Sequence, residues 1–217
     1  TPCRSVRPNR KRQCERFMTN EELARLGSEL AKSRASEDRT KQCAGAALTL
    51  LLLTGCRKSE ILTLEWSDVK GNRLHLRDSK TGPRTVWLGS AARQVIAALP
   101  RFERIPYPFW NYSYSKPLRC VNGFWRRLRG EAGLPGVRIH DLRHTFASHA
   151  AMNKETLPMI GRLLGHANVQ TTARYAHLDD GHLLEAVQQI GDLLECNRQL
   201  KSKLFVSPQA PVTHSLR

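Results

Sequence analysis

The stretch from His140 to Tyr175 reads HDLRHTFASHAAMNKETLPMIGRLLGHANVQTTARY, and it decides what the rest of the chain has to build. Leu142, Phe146 and Ala150 recur on one side of a helix expected over about Asp141–Met152. Thr156 is a cap for the next helix, and Pro158 falls in its first turn, where proline is tolerated. That helix ends at Gly165, and a short one is expected to carry Tyr175. His140 and Arg143 stand three apart at the start of the first helix, so their side chains can face the same way. His166 follows the terminating glycine. Two cationic donors and a phenol so arranged suggest a site that holds a phosphate and attacks it.

A phosphate site needs more positive charge, and the composition has it. The chain of 217 residues carries 35 Lys+Arg against 19 Asp+Glu, a formal charge of +16 with a pI near 10.2. Such an excess favours an extended polyanion, with nucleic acid the first candidate. Hydrophobic content of 40 % and charged content of 25 % fit one ordinary globular domain. The longest apolar run, Ala44 to Leu53, is too short for a bilayer, and the N-terminal TPCRSVRPNRKR has no apolar core of a signal peptide. No membrane role is expected. The six cysteines are scattered without a C-x-x-C pair, which argues against zinc and against a disulfide framework and points to reduced thiols in the cytoplasm.

Working outward, residues 1–16 hold six basic side chains, one acid and two prolines, and read as a basic linker or tail. Thr19-Asn20-Glu21-Glu22 is a capping box that opens a helix through about Lys32, with Leu23, Leu26 and Leu30 on one face. The helix from about Arg39 to Thr54 is apolar nearly all round at its end, so it belongs in the centre, and Gly55 stops it. A short helix after Arg57 directs Ile61, Leu62 and Leu64 inward. The period then changes to two: Leu74 and Leu76 alternate with His75 and Arg77, and Val86 and Leu88 with Thr85 and Trp87. Two short strands follow, with Lys80 at the turn between them, and then a helix capped by Ser90. Residues 100–117 contain four prolines and six aromatics, rings that either stack on bases or pack on the core; packing is the favoured reading. Helices are expected over about Val121–Ala132, exposing Arg126, Arg127 and Arg129, and over Asp180 to about Cys196. Residues 197–217, with four basic residues and no acid, read as a basic C-terminal tail, leaving residues 17–196 as the folded domain. The fold class is mainly α (α+β), helical with one small antiparallel β-sheet.

Five blocks in order, TGCRKSEIL from Thr54, SKTG from Ser79, HDLRHTFASH from His140, LLGH from Leu163 and TTARYAHL from Thr171, closely resemble the catalytic domain of the tyrosine recombinase (phage integrase) family. The resemblance covers about residues 17–195. Carried over by position, it implies that Arg57 and Arg143 grip the scissile phosphate of double-stranded DNA. Lys80 would be the general acid, His140 would assist proton transfer, His166 would bond the phosphate, and Tyr175 would be the nucleophile. Glu60 matches an acidic position that supports the site. His149 and His177 match residues common in the family and are given no chemistry. The resemblance also implies DNA integration and recombination of the kind carried by mobile genetic elements, with a homo-tetramer assembled on paired recombination sites.

The chemistry suits the residue types. A phosphodiester repels nucleophiles with its anionic oxygens, and two guanidiniums neutralise that charge with planar paired donors. A phenol has a pKa of ~10 and needs their field or a nearby base to attack. Attack by Tyr175 would form a 3′-phosphotyrosyl bond and free a 5′-hydroxyl, which takes a proton from Lys80. A second 5′-hydroxyl can reverse the step without ATP, and neither a metal nor another cofactor is expected. Two departures stand out. The family's separate helical core-binding domain cannot be made from the residues before Thr19, so the chain reads as a catalytic fragment of a longer protein or a minimal relative. Lys154 stands where family sequences often have glycine after asparagine. The alternatives are a type IB topoisomerase and a DNA-binding relative that has lost catalysis.

Overall fold

The computed structural model of the protein describes residues 16–77, 82–111, 116–168, 170–176, 187 and 190. Lys80, His177 and, apart from Arg16, Val187 and Ile190, the segments 1–16, 177–196 and 197–217 lie outside the described residues. One compact unit ends at Ala176. It is helical with small antiparallel sheets; the helical class and one sheet are as expected, and a second, two-stranded sheet is not.

Helix α1, Asn20–Arg34, opens on the Thr19–Glu22 capping box, and its buried face is Leu26 and Leu30. Helix α2, Arg39–Thr54, starts on Asp38, whose side chain accepts from the amides of Thr40 and Lys41. It is buried almost all round from Cys43 to Leu51 and ends at Gly55 in the left-handed conformation. Each fully buried leucine there, such as Leu48 or Leu50, contributes roughly 1.5–3 kcal/mol. Gly45 lets α1 approach closely: a Cβ there would lie 2.8 Å from the Ser33 Cβ. After α3, Lys58–Leu62, a 3-10 turn leads into a three-stranded antiparallel sheet of β1 (Val69–Lys70), β2 (Arg73–Leu76) and β3 (Arg84–Trp87). Leu74 faces Val86 across β2 and β3, and both are buried, while His75 faces Thr85. The first strand has only two residues, too short for alternation to register. Arg77 ties the end of β2 back to that turn, donating to Asp68 at 2.6 Å and to Glu65 at 3.1 Å.

Helix α4, Ser90–Ala97, departs from expectation: Gly89 is its N-cap, without a side-chain hydrogen bond, and Ser90 is its first residue. In the aromatic stretch Phe109 and Trp110 are buried, and Phe102 meets Trp110 edge-on at 5.5 Å, so these rings pack on the protein. A two-stranded hairpin, β4 (Trp110–Asn111) with β5 (Lys116–Pro117), had no signal in the sequence. Helix α5, Asn122–Glu131, buries Trp125 and Leu128. Arg126 and Arg127 are exposed on it as expected, whereas Arg129 is half-buried and donates to the Val137 carbonyl at 2.7 Å. The unit closes with α6 (Ile139–Met152), α7 (Leu157–Leu164) and α8 (Gln170–Ala173). Tyr175 is not in α8 but in the turn after it, its amide bonded to the Thr172 carbonyl.

Lys154, between α6 and α7, has φ 65° and is the only non-glycine residue with positive φ among the described residues. A left-handed residue with a Cβ costs about 1–2 kcal/mol, and glycine gives back about 0.5–1 kcal/mol through the unfolded chain. Lys154→Gly is therefore expected to stabilise the protein by about 0.5–1 kcal/mol, read as a higher denaturation midpoint.

Candidate active site

Three arginines meet at the C-terminal end of α7. A helix end leaves its last carbonyls without intrahelical partners and carries partial negative charge. Here Arg84 donates to the Leu163 carbonyl at 3.0 Å, Arg143 to Leu164 at 2.8 Å, and Arg57 to Gly165 at 3.4 Å. Arg143 also donates to the Gly55 carbonyl at 2.7 Å, so one guanidinium joins the ends of α2 and α7. Gly165 is left-handed with φ 66°, and a Cβ on it would lie 2.5 Å from the Arg84 Cδ. The glycine of LLGH is thus required twice, by its backbone and by the arginine packed on it.

Glu60 is the counter-charge. Arg57, the N-cap of α3, presents its backbone amide to Glu60 Oε2 at 2.7 Å and its guanidinium to Oε1 at 2.9 Å. Arg84 grips the same carboxylate at 2.8 and 3.3 Å. Burial pushes the Glu60 carboxyl up, but the bonds from Arg84 and from Arg57 together outweigh it and hold it below the usual range. Of the two arginines on Glu60, Arg57 is the more open, with 23 % of its side chain exposed against 10 % for Arg84, so Arg57 is the one placed to meet an incoming anion. Arg143 is buried; burial first, then the Arg57 and Arg84 charges, lower its pKa to about 10, which leaves it charged at neutral pH. Three guanidiniums around one carboxylate leave a net positive site.

The site's histidines are held below the usual imidazole pKa. His166 follows Gly165 and shares a hydrogen bond with the fully buried Thr172 hydroxyl at 2.8 Å. Burial, then Arg143 and Arg57, lower its pKa to about 4. His140 is exposed in the first turn of α6, and burial of part of the ring followed by Arg143 also lowers its pKa. With Arg143 it lines a cleft shared with Leu51, Cys56, Lys58 and Ile139. The His140 ring meets that of His144 edge-on at 4.8 Å, and His144 Nδ1 lies 2.8 Å from the Tyr175 hydroxyl. Tyr175 is buried. His149, elsewhere on α6, contacts the Met18 carbonyl through Nε2 at 3.2 Å, an anchor for the entering chain.

The structure therefore brings Arg57, Glu60, Arg143 and His166 to one helix end, and links His140 to Tyr175 through His144. Lys80, between β2 and β3 in the chain, lies outside the described residues. Two residues went unmarked in the sequence. Arg84 shares strand parity with inward Val86 and Leu88, so a charge on the core face of β3 was the available signal. His144 lies four residues after His140, one turn along the same face, and that spacing could have marked it. Among the described residues no group of three or more His, Cys, Asp or Glu side chains could hold a metal ion.

The sequence model of the phage integrase family matches residues 16–182. The chain is 32 % identical over 190 residues to an integrase of Haemophilus phage HP1, covering 86 % of this chain and 51 % of that protein. It is 30 % identical over 203 residues to the tyrosine recombinase XerD of Oceanobacillus iheyensis, covering 83 % of this chain and 64 % of the relative. It thus spans about half to two-thirds of the length of these relatives. Its fold is similar to the solved structure of the catalytic domain of bacteriophage HP1 integrase, with a TM-score of 0.60 and 28 % identity over 79 % of this chain and 93 % of that one.

Proposed function

This chain belongs to the phage integrase family, and we propose that it is a site-specific recombinase that cuts and rejoins DNA strands through a 3′-phosphotyrosyl intermediate on Tyr175. Arg57 and Arg143 hold the scissile phosphate, His166 bonds one of its oxygens, and Lys80 protonates the departing 5′-oxygen. His140 assists proton transfer, and Glu60 orients Arg57. The observation that carries this reading is the gathering of Arg57 and Arg143 on the carbonyls of Leu164 and Gly165, with His166 next in the chain. Fixed donors in a partly buried, net positive site stabilise charge as it builds on the phosphate oxygens, without reorganising at the moment of reaction.

The rest follows as proposal from the same reading. Residues 17–196 form the catalytic domain, flanked by basic segments 1–16 and 197–217. Two paired DNA sites carry four protomers, and the protein acts in the cytoplasm of a bacterium, encoded there or by a phage. No described helix is long and apolar enough to cross a membrane. Binding leans on phosphate contacts, so affinity falls steeply with salt.

The test is a covalent adduct. Incubated with nicked suicide DNA, the native chain is expected to become linked to the strand, and Tyr175→Phe to give none while still binding DNA. An adduct surviving that change removes Tyr175 as nucleophile. Plasmid relaxation without joining of two sites would mark a topoisomerase, and binding without an adduct a silent relative.

A further inference from the structure

When Tyr175 attacks phosphorus its O–H bond must break, and the proton needs an acceptor already in contact with the phenol. His140 has been given the proton-assisting role above, yet its ring meets the His144 ring, and it is His144 whose Nδ1 stands 2.8 Å from the Tyr175 hydroxyl. Both partners are buried, with exposures of 8 % for His144 and 4 % for Tyr175, too little for bulk water to compete easily for the proton. We propose that His144 takes the phenolic proton of Tyr175 on Nδ1 during cleavage and returns it during rejoining. The proposal rests on the recombinase reading and adds a catalytic residue to it.

The step balances. As the Tyr175 oxygen bonds to phosphorus, its proton passes to His144 Nδ1, the bond from phosphorus to the 5′-oxygen breaks, and that oxygen is protonated by Lys80. In rejoining, the 5′-hydroxyl attacks and gives its proton back to Lys80, the bond from phosphorus to the tyrosine oxygen breaks, and His144 hands its proton to that oxygen. The electrostatics around the ring suit such a carrier. Burial, then His140 and Arg174, with Arg138 adding to them and Asp141 opposing, lower the His144 pKa to about 4. The ring is therefore neutral at neutral pH, with one nitrogen carrying hydrogen and the other a lone pair. A phenol starts near a pKa of ~10, but its proton becomes strongly acidic once the oxygen is bonded to phosphorus. A base lying between those extremes can take the proton within the step. As an imidazolium it is then acidic enough to return the proton promptly.

Two experiments decide this. In the free 217-residue protein, nitrogen-15 NMR of His144 is expected to show hydrogen on Nε2 and a hydrogen-bonded lone pair on Nδ1, altered by Tyr175→Phe. Hydrogen on Nδ1 would overturn the proposal without any variant of His144 being made. In single-turnover cleavage at pH 7, His144→Ala is expected to form adduct about 10²–10⁴-fold more slowly at unchanged DNA binding. Its rate should rise about tenfold per pH unit toward the phenol's own pKa, and added imidazole should restore part of it. His144→Asn, which keeps a polar partner for the phenol but has no titratable base, should be slow as well. A His144→Ala rate within threefold of native, or a deficit of the same factor at every pH, would sink the idea. If the native chain binds DNA without forming an adduct, the recombinase reading is what fails, and the tautomer still decides whether His144 can accept the proton.

Discussion

Replacing Arg143 by lysine is expected to slow adduct formation by about 10²–10³-fold, the scale of losing one preorganised donor to a transition state. Arg143 uses its two terminal nitrogens on the Gly55 and Leu164 carbonyls, which fixes the plane of its guanidinium; in the proposed reading its remaining N–H groups meet the phosphate in that plane. A lysine ammonium is a single point on a flexible stem and cannot span both carbonyls while facing an anion. Burial and the neighbouring Arg57 and Arg84 charges already draw the guanidinium down to about 10, and the same surroundings would press an ammonium toward losing its proton. Single-turnover cleavage by Arg143→Lys, with thermal unfolding measured alongside, checks this. A rate near native would remove Arg143 from the phosphate site.

The largest loss of stability is expected from Glu60→Ala. The carboxylate is buried between Arg57 and Arg84, and removing it leaves two cations repelling each other with Arg143 nearby. Breaking a buried pair by deleting one partner costs about 3–5 kcal/mol, which lowers the midpoint of a domain this size by about 10 °C. Differential scanning calorimetry reads it directly, and a shift under 2 °C would contradict the assignment of Glu60 as the counter-charge. The sign with pH follows from its depressed pKa. The contribution is complete above the ordinary carboxylate range and is lost as pH falls through the lower folded value, so the native and Glu60→Ala midpoints should converge in acid.

The helices were legible because their signals are local. The Thr19 capping box, the apolar wrap of α2 and the glycines at 55 and 165 each act within a few residues, and the helix boundaries at Asn20, Thr54 and Gly165 fall where those signals put them. The short pieces were not legible: β1, β4 and β5 have two residues each, and a period of two cannot be read from two residues. Ser90 misled because a serine at a helix start resembles a cap when the residue before it is a glycine able to take the extended cap conformation.

By itself the sequence determined the family resemblance, the central place of α2, and Arg57, Glu60, Lys80, His140, Arg143, His166 and Tyr175 as candidates for one site, of which Lys80 lies outside the described residues. Only the tertiary structure decided which groups hold them. Arg143 reaches the Gly55 carbonyl 88 residues back, and Arg57 the Gly165 carbonyl 108 residues on. Arg84 reads in sequence as one more charge of a basic chain until β3 and α7 set it between Glu60 and the Leu163 carbonyl. His144 is an ordinary helix residue until the turn after α8 delivers the Tyr175 hydroxyl to it. Periodicity is set by neighbours along the chain. Hydrogen-bond partners depend on sub-ångström packing between elements far apart in sequence, which no local pattern encodes.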